Sequence, residues 1–190
     1  MITSLSSWIT NALIRFGFVE KEEKELYDYG LFILTSHVIF GLVTTVFGLL
    51  MNVIWESILF YSLFLLLRGY AGGVHASRES TCMVWTTAAL FISVALIAAF
   101  KEYNLVIASG VTASLGMKVV IWLSPMDTKE KRLDQEERSH YRLVTIVISL
   151  AMYVVAIGFT LAGWATLLYI VSMVFALESV LLISGKVQHS

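Results

Sequence analysis

The sequence predicts an all-α, polytopic membrane protein: six transmembrane helices preceded by an amphipathic interfacial helix. Three observations predict it. First, the 190 residues are 58% hydrophobic and only 14% charged, with a mean hydropathy of +0.81. Soluble domains carry roughly 25% charged residues, so a water-soluble fold would have nowhere to put this much apolar surface. Second, the chain holds long apolar runs and a single proline, which is how membrane helices read. Third, the basic residues fall almost entirely on one side of the topology those runs define.

The elements follow in order. In residues 1–19, Ile2, Leu5, Ile9, Leu13 and Phe16 recur every three or four positions, with Ser6, Ser7, Thr10 and Asn11 between them. That spacing predicts an amphipathic helix lying in the interface, with Trp8 as an anchor. A helix packed on the protein's own cytoplasmic side is compatible with the same pattern. No basic start or small-residue cleavage site marks a signal peptide. A charged stretch from Glu20 to Glu25 separates this helix from the bilayer. Six apolar segments then cover 29–51, 53–70, 82–100, 104–123, 143–163 and 165–184. At ~1.5 Å per residue each can cross roughly 30 Å of hydrocarbon, allowing for tilt. The connections alternate between short turns, at Met51-Asn52, Lys101-Glu102-Tyr103 and Gly163-Trp164, and longer loops at 71–81 and 124–142. The spans therefore pair into three hairpins within one membrane domain, 1–190.

Placing the N-terminus inside puts all of the 13 basic residues except Lys101 and Lys118 on the inner side. The positive-inside rule then makes both termini cytoplasmic and puts the two longer loops on the cytoplasmic face. Net charge is −1, which leaves no basic footprint for nucleic acid. One cysteine forms no internal disulfide.

That cysteine, Cys82, opens the third span, and the loop before it reads Ala71-Gly72-Gly73-Val74-His75-Ala76-Ser77-Arg78-Glu79-Ser80-Thr81. A lone cysteine is ordinarily a small buried hydrophobe. On one straight helix His75 and Cys82 would share a face but stand about 10.5 Å apart along the axis, too far for a hydrogen bond. A contact between them needs a break in the helix, and Gly72-Gly73 supplies flexible backbone just upstream. Ser77 is a suitable helix cap, with Glu79 in the first turn. A helix starting there puts Cys82 in its first two turns, where the positive helix end, Arg78 and a histidine each favour the thiolate. Cysteine with a histidine base is an activated-thiol arrangement for acyl transfer.

The run Arg68-Gly-Tyr-Ala-Gly72-Gly73-Val-His75-Ala76, followed after five residues by Cys82, resembles the signature of the AgrB family, the membrane-embedded cysteine endopeptidases of bacterial quorum sensing. The likeness covers nearly the whole chain. It includes the amphipathic start, the spans, a proline-then-basic loop (Pro125 to Arg132) and an acidic residue late in the last span, Glu178. The loop after Pro125 departs from the family in its mixed charge, with Asp134, Glu136 and Glu137, and in lacking a second proline. That departure bears on substrate preference more than on chemistry.

The resemblance implies a cysteine endopeptidase that cuts an AgrD-like precursor peptide at the inner membrane face. Cys82 would be the nucleophile and His75 the general base. Arg68 matches the family arginine, and Lys129 and Lys131 fall in the basic, substrate-binding loop. Release of the precursor's C-terminal tail would leave an acyl-enzyme thioester, which an internal cysteine or serine of the precursor converts to a thiolactone or lactone. Gly72 and Gly73 are candidates to bring backbone N–H groups to the oxyanion. The expected partners are the precursor and the lipid bilayer, with a homodimer left open. No cofactor is expected, and His37, His75, Cys82 and His140 lack metal-ligand spacing.

Ionisable residues within spans are suspects for function by default. Here Lys118 is expected to snorkel toward the inner face, and Glu178 to pair with it across helices as a structural contact. Glu56 is a further intramembrane charge, and His37 reads as a polar packing residue. The alternative to the endopeptidase is a non-catalytic small transporter or scaffold that uses these charges, with Cys82 incidental. Thiol reactivity separates the two.

Overall fold

The computed structural model describes residues 2–72, 79–126 and 134–188. Within them the chain forms seven α-helices: α1 (Ile2–Arg15), α2 (Lys24–Leu50), α3 (Ile54–Ala71), α4 (Glu79–Glu102), α5 (Val106–Leu123), α6 (Gln135–Leu161) and α7 (Thr166–Gln188). A 3-10 turn, Lys21–Glu23, precedes α2. Six helices are long and apolar enough to cross a membrane. The protein is thus an all-α polytopic membrane protein, as its hydropathy predicts. It divides into two compact units, Met1–Val43 and Thr44–Ser190, with the division falling inside α2.

The short connections are built by one device. At the ends of α2, α4 and α6 a residue takes the left-handed conformation: Asn52 (φ 56°), Asn104 (φ 48°) and Gly163 (φ 91°). The next N–H then reaches back to the helix: Val53 to Gly48, Leu105 to Phe100 and Trp164 to Phe159, at 2.8, 3.0 and 2.8 Å. This is the Schellman closure, which satisfies the last carbonyls of a helix and reverses the chain at once. Glycine and asparagine are the residues that adopt that backbone at low cost. α1 ends the same way at Gly17 (φ 75°), where Phe18 N–H bonds to Leu13 O at 3.0 Å.

In the larger unit α7 is the central helix. Of its apolar span 67% is buried, against at most 33% in any other. It runs parallel to α5 at a constant offset. Tyr169 bonds to Asn104 at one end (2.7 Å), Ser179 Oγ donates to Gly116 O at 3.0 Å midway, and the Lys186 ammonium lies 4.8 Å from the Trp122 ring near the other end. Gly116 permits the close approach, because a Cβ there would sit 2.8 Å from Phe175 Cβ. Small residues at such crossings let backbones meet where no hydrophobic force drives helices together in lipid. Ser114 and Tyr153, 2.8 Å apart, join α5 to α6.

Three expectations are revised. α6 begins at Gln135 rather than 143, because Asp134 caps it by accepting from Glu137 N–H at 2.7 Å, with Glu136 and Glu137 in the favourable first turn. Glu56 is not a mid-bilayer charge. It lies in the first turn of α3 and forms an ion pair with Lys101 in the last turn of α4. In α1, Ser6 and Thr10 are buried while Trp8 is exposed, as is Phe16 just beyond the helix. Their hydroxyls donate to Thr3 O and Ser6 O, at 3.0 and 3.1 Å, which lets small polar side chains leave solvent.

Candidate active site

The run before the histidine-bearing loop is anchored at the end of α3. Arg68 lies in the last turn of this helix and Gly72 is its C-cap, with φ 76° and ψ −163°. Gly72 N–H closes the helix onto Arg68 O at 3.2 Å. The Arg68 side chain then curls over the same turn, and its Nη1 donates to Gly72 O at 2.9 Å. The same nitrogen donates to Glu178 Oε1 on α7 at 3.3 Å. Glu178 is fully buried, and its second oxygen, Oε2, has no hydrogen-bond partner among the described residues.

A second anchor meets the first. Beyond α5 the chain turns through a cis Ser124-Pro125 peptide, and Met126 N–H donates to Ala71 O at 3.0 Å. Gly72 and Met126 form an isolated parallel bridge. The approach leaves no room for a side chain, since a Cβ on Gly72 would lie 2.3 Å from Met126 O. Gly72 and Met126 are the last described residues before 73–78 and before 127–133 in the sequence. The Tyr70 and Tyr141 rings, 5.8 Å apart, bring the start of α6 to the same end of the molecule.

Cys82 is the fourth residue of α4, whose backbone starts at Glu79. A helix of that start leaves its first N–H groups without intrahelical partners and gives its end positive potential. His75, Gly73, Lys129 and Lys131 lie outside the described residues, as do Ser77 and Arg78. Of the sequence-derived site residues the structure therefore joins Arg68 and Gly72 directly. It also brings together the chain entering both loops.

The expected partnership of Glu178 with Lys118 is not found. Lys118 is exposed, and Glu178 takes Arg68 instead. The physical reason is that Gly116 and Val120 occupy the buried face of α5, so Lys118 between them points outward. Sequence reasoning missed the Arg68–Glu178 pair. The available signal was an arginine one turn from a helix end and an acid of opposite sign in another apolar span.

Among the described residues no group of histidine, cysteine or carboxylate side chains could hold a metal ion. His37 and His140 are both exposed. A cavity of about 420 Å³ opens at the opposite end of the helices, lined by residues that include Asn52, Ala99, Lys101 and Tyr103. It touches none of the site residues.

The fold and this end of it define a class: a polytopic helical membrane protein with a cysteine at the start of a span and two loops knotted together at their roots. The chain belongs to the accessory gene regulator B family, whose model matches residues 5–183. It is similar to an AgrB-like protein of Clostridium perfringens (strain SM101 / Type A), 24% identical over 179 residues, covering 87% of this chain and 82% of that one. A second AgrB-like protein, from C. perfringens strain 13, matches to the same extent. Accessory gene regulator protein B of Staphylococcus haemolyticus (strain JCSC1435) is 24% identical over 127 residues, 67% of this chain and 66% of that one. No solved structure matches the chain. Family membership connects the protein with quorum-sensing peptide processing and with the AgrD precursor.

Proposed function

We propose that the protein is a membrane-embedded cysteine endopeptidase that removes the C-terminal tail of an AgrD-like precursor and promotes closure of its ring. The family match over 5–183 supports this reading most. Two further observations support it: Cys82 falls in the first turns of α4, and Arg68 bonds to the carbonyl of Gly72, just before the segment that holds His75 in sequence.

The chemistry balances without a cofactor. His75 accepts the thiol proton of Cys82, and the thiolate attacks the carbonyl carbon before the tail. The C–N bond breaks, and the proton passes from His75 to the leaving amine. The product is a thioester on Cys82 and a free tail. A thiol or hydroxyl of the precursor then gives its proton to His75 and attacks the thioester carbonyl; the ring closes, the C–S bond to Cys82 breaks, and the released thiolate recovers the proton from His75. Water must be kept from the thioester, which suits a site at the membrane surface. The basic-residue bias puts that site, and both termini, on the cytoplasmic face. Lys129 and Lys131 attract the acidic part of the precursor.

The test is tail release from a co-expressed precursor, with mass spectrometry of the cyclic product. Wild type should release the tail and Cys82→Ala should not. Tail release by a stably inserted Cys82→Ala protein removes Cys82 as nucleophile and with it this reading.

A further inference from the structure

We infer that Glu178 is a positioning residue for peptide cleavage, acting through Arg68 to fix the entry to the loop that carries His75. The inference rests on the endopeptidase reading and deepens it.

Three observations converge. Glu178 is fully buried in the central helix α7, yet only one of its oxygens has a partner among the described residues. That partner, Arg68 Nη1, also donates to the Gly72 carbonyl. Gly72 in turn is the last described residue before the loop, and its neighbour Ala71 accepts the bond from Met126 at the root of the basic loop. A single guanidinium nitrogen therefore links the core of the bundle to the point where both loops depart.

The pair is not explained by stability. Buried ion pairs barely repay their desolvation, and apolar residues of similar volume often replace them without loss. A fully hydrogen-bonded carboxylate would be the mark of a structural network, whereas here one oxygen has no partner among the described residues. What an apolar pair could not supply is the aim of the guanidinium at Gly72 O. Arginine alone, on a long side chain, could sample many rotamers. The fixed carboxylate of Glu178 selects the one that reaches back to the loop mouth. Catalytic groups displaced by about 1 Å lose rate by ~100-fold, so loosening this anchor should act on turnover rather than on precursor binding.

The experiment compares wild type with Arg68→Met/Glu178→Leu and with Glu178→Gln, each purified in detergent. Tail cleavage of a synthetic precursor gives kcat and KM, and thermal unfolding reports integrity. The apolar double variant removes both charges of the pair together, so neither is left buried opposite an apolar side chain, and it should unfold near the wild-type temperature. Its kcat should nonetheless fall by at least tenfold, with KM changed less than threefold. Glu178→Gln keeps the shape but replaces the charge-assisted bond to Arg68 with a weaker neutral one, so its kcat should fall between wild type and the double variant. A folded double variant with wild-type kcat overturns the inference, as does a loss confined to KM. If the double variant unfolds early, Glu178→Gln decides: wild-type kcat in a stable Gln variant overturns it equally. Cys82→Ala in the same assay separates the levels. Cleavage by that variant defeats the endopeptidase reading, whereas an inactive Cys82→Ala beside a fully active double variant defeats the positioning role alone.

Discussion

Gly72 and Met126 are in backbone contact: a methyl group on Gly72 would stand 2.3 Å from the Met126 carbonyl oxygen. Two loops distant in sequence thus share one root, and the contact depends on a residue without a side chain. Gly72 also holds φ 76° with ψ −163°, an essentially glycine-only region where other residues are strained by about 1–3 kcal/mol. Gly72→Ala is expected to part the two loops and reduce tail cleavage at least tenfold, while the six spans still insert. Cleavage by a membrane-inserted Gly72→Ala protein at the wild-type rate would show the contact to be dispensable.

Cys82 and His75 should fail together. Cys82→Ser is expected to be nearly inactive, because a hydroxyl is a much weaker nucleophile than a thiol at neutral pH. His75→Ala should lose ~100- to 10,000-fold, the usual contribution of a positioned acid–base. Combining His75→Ala with Cys82→Ser should add little further, since groups acting as one unit are strongly non-additive. The companion measurement is alkylation of the single thiol against pH. His75→Ala should shift the reactive onset upward, and an unmoved profile would dissociate the histidine from the thiolate.

Asn104 has two separable duties. Its backbone is left-handed, and its side-chain oxygen accepts from Tyr169 OH at 2.7 Å. Tyr169→Phe removes only the bond, for about 0.5–1.5 kcal/mol. Asn104→Gly keeps the backbone and should lose a similar amount. Asn104→Ala removes the bond and strains the turn, so it should lose about 1–2 kcal/mol more than Asn104→Gly. Thermal unfolding in detergent ranks the three, and an Ala variant as stable as Gly would contradict the turn assignment.

The orientation is open to direct test. Reporter fusions at Met51 and Gly163 should read external, and fusions at Ser77 and Lys131 internal. An external signal at Ser77 would invert the topology and move the site off the cytoplasmic face.

Composition and hydropathy alone determined that the protein is a helical membrane protein and located its six spans, although the charged first turns of α6, from Gln135, lay outside the apolar run. A membrane helix satisfies its backbone within its own segment, so the information for it is local. Two turns were legible for the same reason, at Asn52 and Gly163, which carry the backbone freedom that their positions use, whereas the residue that reverses the chain after α4 is Asn104, one beyond the expected Lys101-Glu102-Tyr103 connection. The motif from Arg68 to Cys82 marked the candidate site for the same reason, as a contiguous run. Partner choice was not local. Whether Glu178 meets Lys118 or Arg68 depends on which faces α3 and α5 turn toward α7, and small residues such as Gly116 set those faces. The meeting of Gly72 with Met126 likewise joins residues that no periodicity connects. Only the packing of helices around α7 decided these, because a buried charge takes the partner that tertiary geometry brings within reach.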